Sequence, residues 1–185
     1  MGINKGNLVK GTTQTHEGTN NPPMGSVTTS FLLSMDDMLS SSVDSFETFA
    51  PLLWFNSREE RVSSGKSAGD FKASATLAHS LLELHIPTDS YMPTLRQALR
   101  DNTNIVEVKI VRVGHTDGSS NTELYSSTFG DCKLDGIEES PDKLILYVRI
   151  FTRADEAIAV DTTGASGEGN TASSWDYSTN ASTAS

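Results

Sequence analysis

Four histidines, one cysteine, two acidic pairs and a Gly-Lys-Ser triplet are the residues of this 185-residue chain that could do chemistry. The triplet lies in SSGKSAGD (63–70). A Walker A loop would need a further glycine five residues before its second one, where Glu60 stands, and a strand before and helix after that the sequence does not supply. The histidines at 16, 79, 85 and 115 lack the i, i+4 helical spacing of a zinc site. His79 and His85 fall six apart on what reads as one strand, so they read as solvated side chains. Asp36-Asp37 and Glu138-Glu139 sit in turn-like sequence. Paired carboxylates become glycosidase machinery only at a defined separation across a cleft. Cys132, flanked by Asp131 and Lys133 and facing the same side as Leu134, reads as a small buried thiol rather than an activated nucleophile. No Gly-x-Ser-x-Gly elbow is present. The sequence predicts no enzyme, no metal and no cofactor.

Composition narrows the classes further. Fourteen basic residues against 24 acidic ones give a formal charge of -10, which argues against a protein that binds nucleic acid through its phosphates. A single cysteine cannot form an intramolecular disulfide, so ordinary packing must supply the stability. The N-terminal stretch has no apolar core of a signal peptide, and apolar runs such as LILYV (144–148) are far shorter than the ~20 residues that span a bilayer. The expectation is a protein that inserts in no membrane and leaves its cell, if it does, by a signal-peptide-independent route.

The elements that must position any site are mostly strands. Residues 1–25 read as a flexible N-terminal tail, 26–160 as one β domain, and 161–185 as a flexible tail ending in a docking segment at 174–180. Within that segment, Trp175 and Tyr177 are aromatics that want a surface to lie on. Five or six strands are expected. They are SVTTSFLLSM (26–35), FETFAPLLWF (46–55) with its Trp54 in the core, ATLAHSLLELHI (75–86), IVEVKIVRV (105–113), ELYSSTFGDCKL (123–134) and KLILYVRIFTR (143–153). DGIEESPD separates the last two, and residues 56–72 form an extended polar loop. One helix is expected at about 92–101, capped by Thr88, Asp89 or Ser90, with Pro93 in its first turn. The fold class is mainly β: a small antiparallel barrel of two packed sheets plugged by that helix.

The order of these parts resembles the Hcp (haemolysin-coregulated protein) family, the tail-tube subunit of type VI secretion systems. HIPTDSYMPTLRQAL (85–99) is similar to the family's strand, charged turn and helix, and SWDYSTN (174–180) to its terminal Gly-Trp-Asp/Asn-x-x-x-Asn, with Ser174 in place of the glycine. The loop at 56–72 falls where the family has its extended loop.

The resemblance implies hexameric rings that stack into the inner tube of a contractile machine, with sheath, baseplate and spike proteins as partners and effectors as cargo in the lumen. It also implies assembly in a bacterial cytoplasm and export to the extracellular space or a target cell. Loop residues Arg58, Arg61 and Lys66 would meet an adjacent ring, and Ile105 and Val111, on the face opposite Val106, Val108 and Ile110, would serve a subunit interface together with Trp175 and Tyr177. Ser126 and Thr128 on one face, or Ser127 on the other, would line the lumen. The competing readings are the tube protein of a phage tail or phage-derived injector, and a monomeric β-sandwich binding module.

Overall fold

The longest strand organises the structure, a computed structural model that describes residues 14–16, 27–40, 46–62, 76–115, 122–158 and 171–182. This strand, β9 (Thr122–Ser140), pairs through its first half with β8 (Asn104–His115) on one side and β11 (Thr152–Ala157) on the other. Its second half pairs with β10 (Lys143–Arg149) across a turn at Pro141-Asp142. A straight strand of that length would run about 65 Å. It bends at Asp131, whose φ of 52° is left-handed. There the period-two alternation changes phase on both strands: Phe129 and Cys132 are both core residues, and so are Ile105 and Val108. The Asp36 carboxylate accepts hydrogen bonds from the amides of Val106 (2.5 Å) and Glu107 (2.9 Å), holding β8 at the bend. DGIEESPD is therefore not a loop. Most of it extends β9, and Gly136 leaves room for the Tyr147 ring, which would lie 3.3 Å from a Cβ there.

The bend lets one ten-stranded sheet curl around a core. Its order is β1 (Gln14–His16), β2 (Val27–Met35), β8, β9, β10, β7 (Leu82–Pro87), β4 (Trp54–Asn56), with β3 (Phe49–Pro51) on β2, and β11 followed by β12 (Thr171–Asp176) on β9. The described residues thus hold twelve strands where the sequence predicted five or six. Residues 49–56 join the two ends of the curl. Leu52 N–H bonds to Phe31 O (2.9 Å) and Leu53 N–H to His85 O (2.8 Å), so the chain crosses from β2 to β7 at that corner. The ladder is not closed: β3 and β4 pair with different strands on either side of Leu52-Leu53.

Strict alternation on β7 and β10 buries Leu82, Leu84 and Ile86 against Leu144, Leu146 and Val148. Helix α1 (Met92–Arg100) adds Leu95 and Ala98. Its start is set differently from the expectation. Tyr91 is the N-cap without a side-chain cap bond; the Asp89 carboxylate takes the Ser90 amide (2.6 Å), and the Asp89 carbonyl accepts from Met92 N–H (3.2 Å). Its end is a Schellman motif: Asn102, at φ 50°, donates to Leu99 O, and Thr103 donates to Ala98 O.

The expected loop at 56–72 begins as ordered structure. β5 (Glu59–Val62) pairs with β6 (Thr76–His79) as a separate two-stranded sheet, an arm that continues beyond the pairing of β4 with β7. The break at Ser80-Leu81, where Ser80 N–H bonds to Arg58 O (3.0 Å), splits the segment read as a single strand over 75–86. His79 and His85 consequently stand on different strands.

Candidate functional site

The most elaborate side-chain arrangement lies where the arm crosses β9 and β11. The sequence predicted one continuous strand over 143–153, which would put Arg153 on the face opposite Leu144, Leu146 and Val148. The chain breaks at Ile150-Phe151 instead, because β10 and β11 pair with different halves of β9, and Arg153 then points under the arm. Its Nη2 donates to Asp155 Oδ1 (3.1 Å) and its Nη1 to Ser57 Oγ (3.1 Å); Nε lies 2.8 Å from Asp155 Oδ2 but off the angle for a hydrogen bond. Glu59 is 3.5 Å from the guanidinium, which also sits 5.5 Å over the Phe129 ring. Tyr125 OH (2.7 Å) and Ser127 Oγ both contact Asp155 Oδ1. Burial raises the Asp155 pKa, yet hydrogen bonds from Ser127, Arg153 and Tyr125 outweigh it, and the carboxyl falls below its ordinary value. For Arg153 burial acts downward, and Asp155 and Glu59 carry the net shift upward.

His79 stands at the centre of this junction. Its Nε2 is 2.9 Å from Ser57 Oγ, and Nδ1 contacts the Ser80 carbonyl. Ser57 Oγ accepts a hydrogen bond from Arg153 and donates its own hydroxyl hydrogen to Nε2, and Nδ1–H donates to Ser80 O. That pattern fits the neutral imidazole. Burial pushes the His79 pKa down, and nearby Arg153 adds to this, against the raising effects of Ser80 O and Glu59. The histidine is therefore half-buried structure, not the solvated side chain expected.

The tail closes over the same junction. β12 lies antiparallel on β11, with Trp175 opposite Arg153. The Asp176 carboxylate then accepts from the amides of Ser178 (2.8 Å) and Thr179 (3.2 Å), turning the chain. Tyr177 N–H bonds to Phe151 O (2.9 Å), its ring sits 5.4 Å from that of His79, and its hydroxyl donates to Glu59. Burial and then Glu59 raise the Tyr177 pKa. Asn180, left-handed at φ 54°, accepts from Leu77 N–H on β6 (3.0 Å). Within SWDYSTN, Asp176, Tyr177 and Asn180 thus each make a defined contact.

Other expected site residues separate. Ile105 and Val111 are both fully buried, so neither is free for a neighbour. The phase change at the bend turns Ile105 into the main core and sends Val106 outward, 68% exposed. Val111 joins a second small core with Leu32, Val113 and Phe46, under a Phe46–Phe49 ring contact. Ser126 and Ser127 are buried as well, at 4% exposure each, Ser126 beside Val111 and Ser127 in the Asp155 network. Neither can present its hydroxyl to a lumen. Thr128, only partly buried, shares a face with Ala154 and Ser174.

Arg58 is exposed and paired with Glu60 (2.7 Å), Arg61 is exposed, and Lys66 lies outside the described residues. Trp54 is not core. Alternation on β4 turns Phe55 inward against Phe31 and leaves Trp54 37% exposed, tilted over His85 at 4.6 Å. Glu138 and Glu139 stand on a strand, accepting from Tyr147 OH (3.1 Å) and Arg96 respectively.

Sequence reasoning missed Ser57, Glu59, Tyr125, Arg153 and Asp155 as a group. The available signal was Arg-x-Asp at 153–155, opposite charges two apart on a strand and hence on one face. Among the described residues no cluster of His, Cys, Asp and Glu could hold a metal, and no helix is long and apolar enough to cross a membrane. A hollow of 140 Å³ lined by Arg58, Glu60, Ala78, His79 and Ser80 is below the ~300–1,000 Å³ of ligand pockets.

This fold, with its bent central strand, curled antiparallel sheet, short helix, arm and docked tail, is similar to that of solved Hcp proteins of type VI secretion systems. Hcp1 from Salmonella typhimurium superposes with a TM-score of 0.65 at 15% identity, over 84% of this chain and 99% of that one. A type six secretion system protein matches with a TM-score of 0.70 at 13% identity, over 83% and 99%. The secreted protein Hcp3 from Pseudomonas aeruginosa matches at 0.55 and 13%, over 80% and 99%. No family model and no curated protein matches the sequence itself.

Proposed function

We propose that this chain is a tail-tube subunit of a type VI secretion system. Six copies close into a ring, rings stack into a tube, and contraction of a surrounding sheath drives the tube outward with effector cargo in its lumen. The subunit works by shape, without turnover. One observation carries this reading: the superposition spans four-fifths of this chain and nearly all of the solved Hcp1 and Hcp3 chains. In this reading the arm, with exposed Arg58 and Arg61, reaches the adjacent ring, and the face bearing Thr128, Ala154 and Ser174 is the small-residue surface suited to a lumen. Trp175 and Tyr177 serve assembly indirectly, by docking on their own subunit. The partners are further copies of itself, then sheath, baseplate and spike proteins. In this reading the protein assembles in the bacterial cytoplasm and is exported from it with the tube.

The test is the mass of the purified protein by light scattering at low and moderate salt, with negative-stain microscopy of the same samples. A species near six times 19.9 kDa, and tubes whose length depends on salt, are expected. A monomer over a wide concentration range would refute the reading.

A further inference from the structure

The β5–β6 sheet shares no ladder with the ten-stranded sheet. A lone two-stranded sheet is marginal in water, so side chains must fix the arm's direction. Those that reach it from outside come from the main sheet and from the tail. Arg153 of β11 holds Ser57 and lies beside Glu59, and the Phe129 ring of β9 meets that of His79 edge-on at 6.2 Å; the tail adds Tyr177 OH to Glu59, the Tyr177 ring against His79, and Asn180 Oδ1, which accepts from the Leu77 amide. Tyr177 and Asn180 thus contact both strands of the arm, while Tyr177 N–H ties the same turn to Phe151 O at the foot of β11.

We propose that residues 171–182 are a strap: the docked tail holds the arm in one pose, and the two dock and release as a coupled unit. Displacing β12 from β11 would remove Tyr177 and Asn180 from the arm together. The arm would then pivot at Ser57-Arg58 and Ser80-Leu81, where the pairing of β4 with β7 gives way to that of β5 with β6. Its bearing on ring stacking rests on the tube reading above. The coupling itself does not, and it can be measured on the soluble protein.

The experiment is amide hydrogen exchange on the full chain. Tyr177→Phe with Asn180→Ala should speed exchange in β5 and β6 at least tenfold and leave β8 and β10 within twofold. Asn180→Asp, which keeps the acceptor, should restore protection at the Leu77 amide. Coupling is reciprocal, so Ser57→Ala with Glu59→Gln on the arm should speed exchange in β12 and the 176–181 turn by a comparable factor. An unchanged arm in the tail variant would overturn the strap, as would an unchanged tail in the arm variant. A rise spread evenly over β8 and β10 would also overturn it, because the tail would then be adding only global stability. Intact coupling in a protein that forms no rings sinks the tube reading alone; rings with an uncoupled arm sink the strap alone.

Discussion

Replacing Asp155 by alanine is the sharpest probe of the junction beneath the arm. The carboxylate accepts from Tyr125, Ser127 and Arg153, and hydrogen bonds to a charged group contribute roughly 1.5–3 kcal/mol each. They are not additive, since the donors share one oxygen and Arg153 keeps Ser57 and Glu59. The Arg153 and Asp155 side chains retain 19% and 25% of their exposure, so some water reaches them, and the loss should sit at the lower edge of the ~3–5 kcal/mol for breaking a buried pair. About 3 kcal/mol is expected. On a urea slope of about 2 kcal/mol/M this lowers the unfolding midpoint by roughly 1.5 M at unchanged slope and fixed protein concentration. The companion is Arg153→Met with Asp155→Leu, which removes both charges and should cost less than Asp155→Ala alone, because no stranded guanidinium remains. A single-mutant loss under about 0.5 kcal/mol, the range of ordinary surface changes, would refute the claim that this network is structural. So would a double mutant worse than the single.

Three further outcomes are expected. Because the folded-state pKa of His79 lies below 6.5, its contribution is complete above that value and is lost as pH falls through the lowered pKa; protonation puts a hydrogen on Nε2, so the Ser57 hydroxyl loses its acceptor there and must accept from both His79 and Arg153, and protection factors in β6, corrected for the intrinsic pH dependence of exchange, should fall on acidification in the wild type and not in His79→Gln. Burial, with Asp131 and Asp36, raises the Cys132 thiol to about 12, so a thiol reagent at pH 8 should label it only after denaturation, and rapid native labelling would contradict its burial. A Cβ on Gly130 would meet Thr152 Oγ1 at 2.4 Å, so Gly130→Ala should cost about 1–3 kcal/mol, and Thr152→Ala in the same chain should recover part of it, the next contact being 3.7 Å.

What was legible in the sequence follows from what alternation can report. β7 and β10 hold a strict period of two, and the apolar face of that period, Leu82, Leu84 and Ile86 with Leu144, Leu146 and Val148, is the one buried. The helix was legible from Pro93 and the Leu95–Ala98–Leu99 spacing, although the cap was not, since Asp89 spends its carboxylate one residue early. β8 misled because its period changes phase at Val106, and the cause is remote: Asp36, some seventy residues upstream, holds the two amides, while Asp131 on the neighbouring strand bends. No local pattern encodes that, so Ile105 was read as outward. The arm was hidden by its polarity. Glu59, Glu60 and Arg61 look like loop, yet β5 is a two-stranded edge with solvent on most sides, where charged residues are the ones that avoid unwanted pairing.

The two halves of the molecule are therefore held by different physics. Backbone ladders and apolar burial fix the curled sheet, and many sequences satisfy them as long as the phase of alternation and the bend are kept, which is how 13–15% identity coexists with superposition over four-fifths of the chain. The arm has a ladder only to itself. Its direction depends on particular donors and acceptors at Ser57, Glu59, Leu77, His79, Arg153, Tyr177 and Asn180. A hydrogen-bonded junction of this kind tolerates little substitution. Such a molecule can alter which surface its arm meets while leaving its shape intact, and the tail, chained to that junction through Tyr177 and Asn180, is the element positioned to set it.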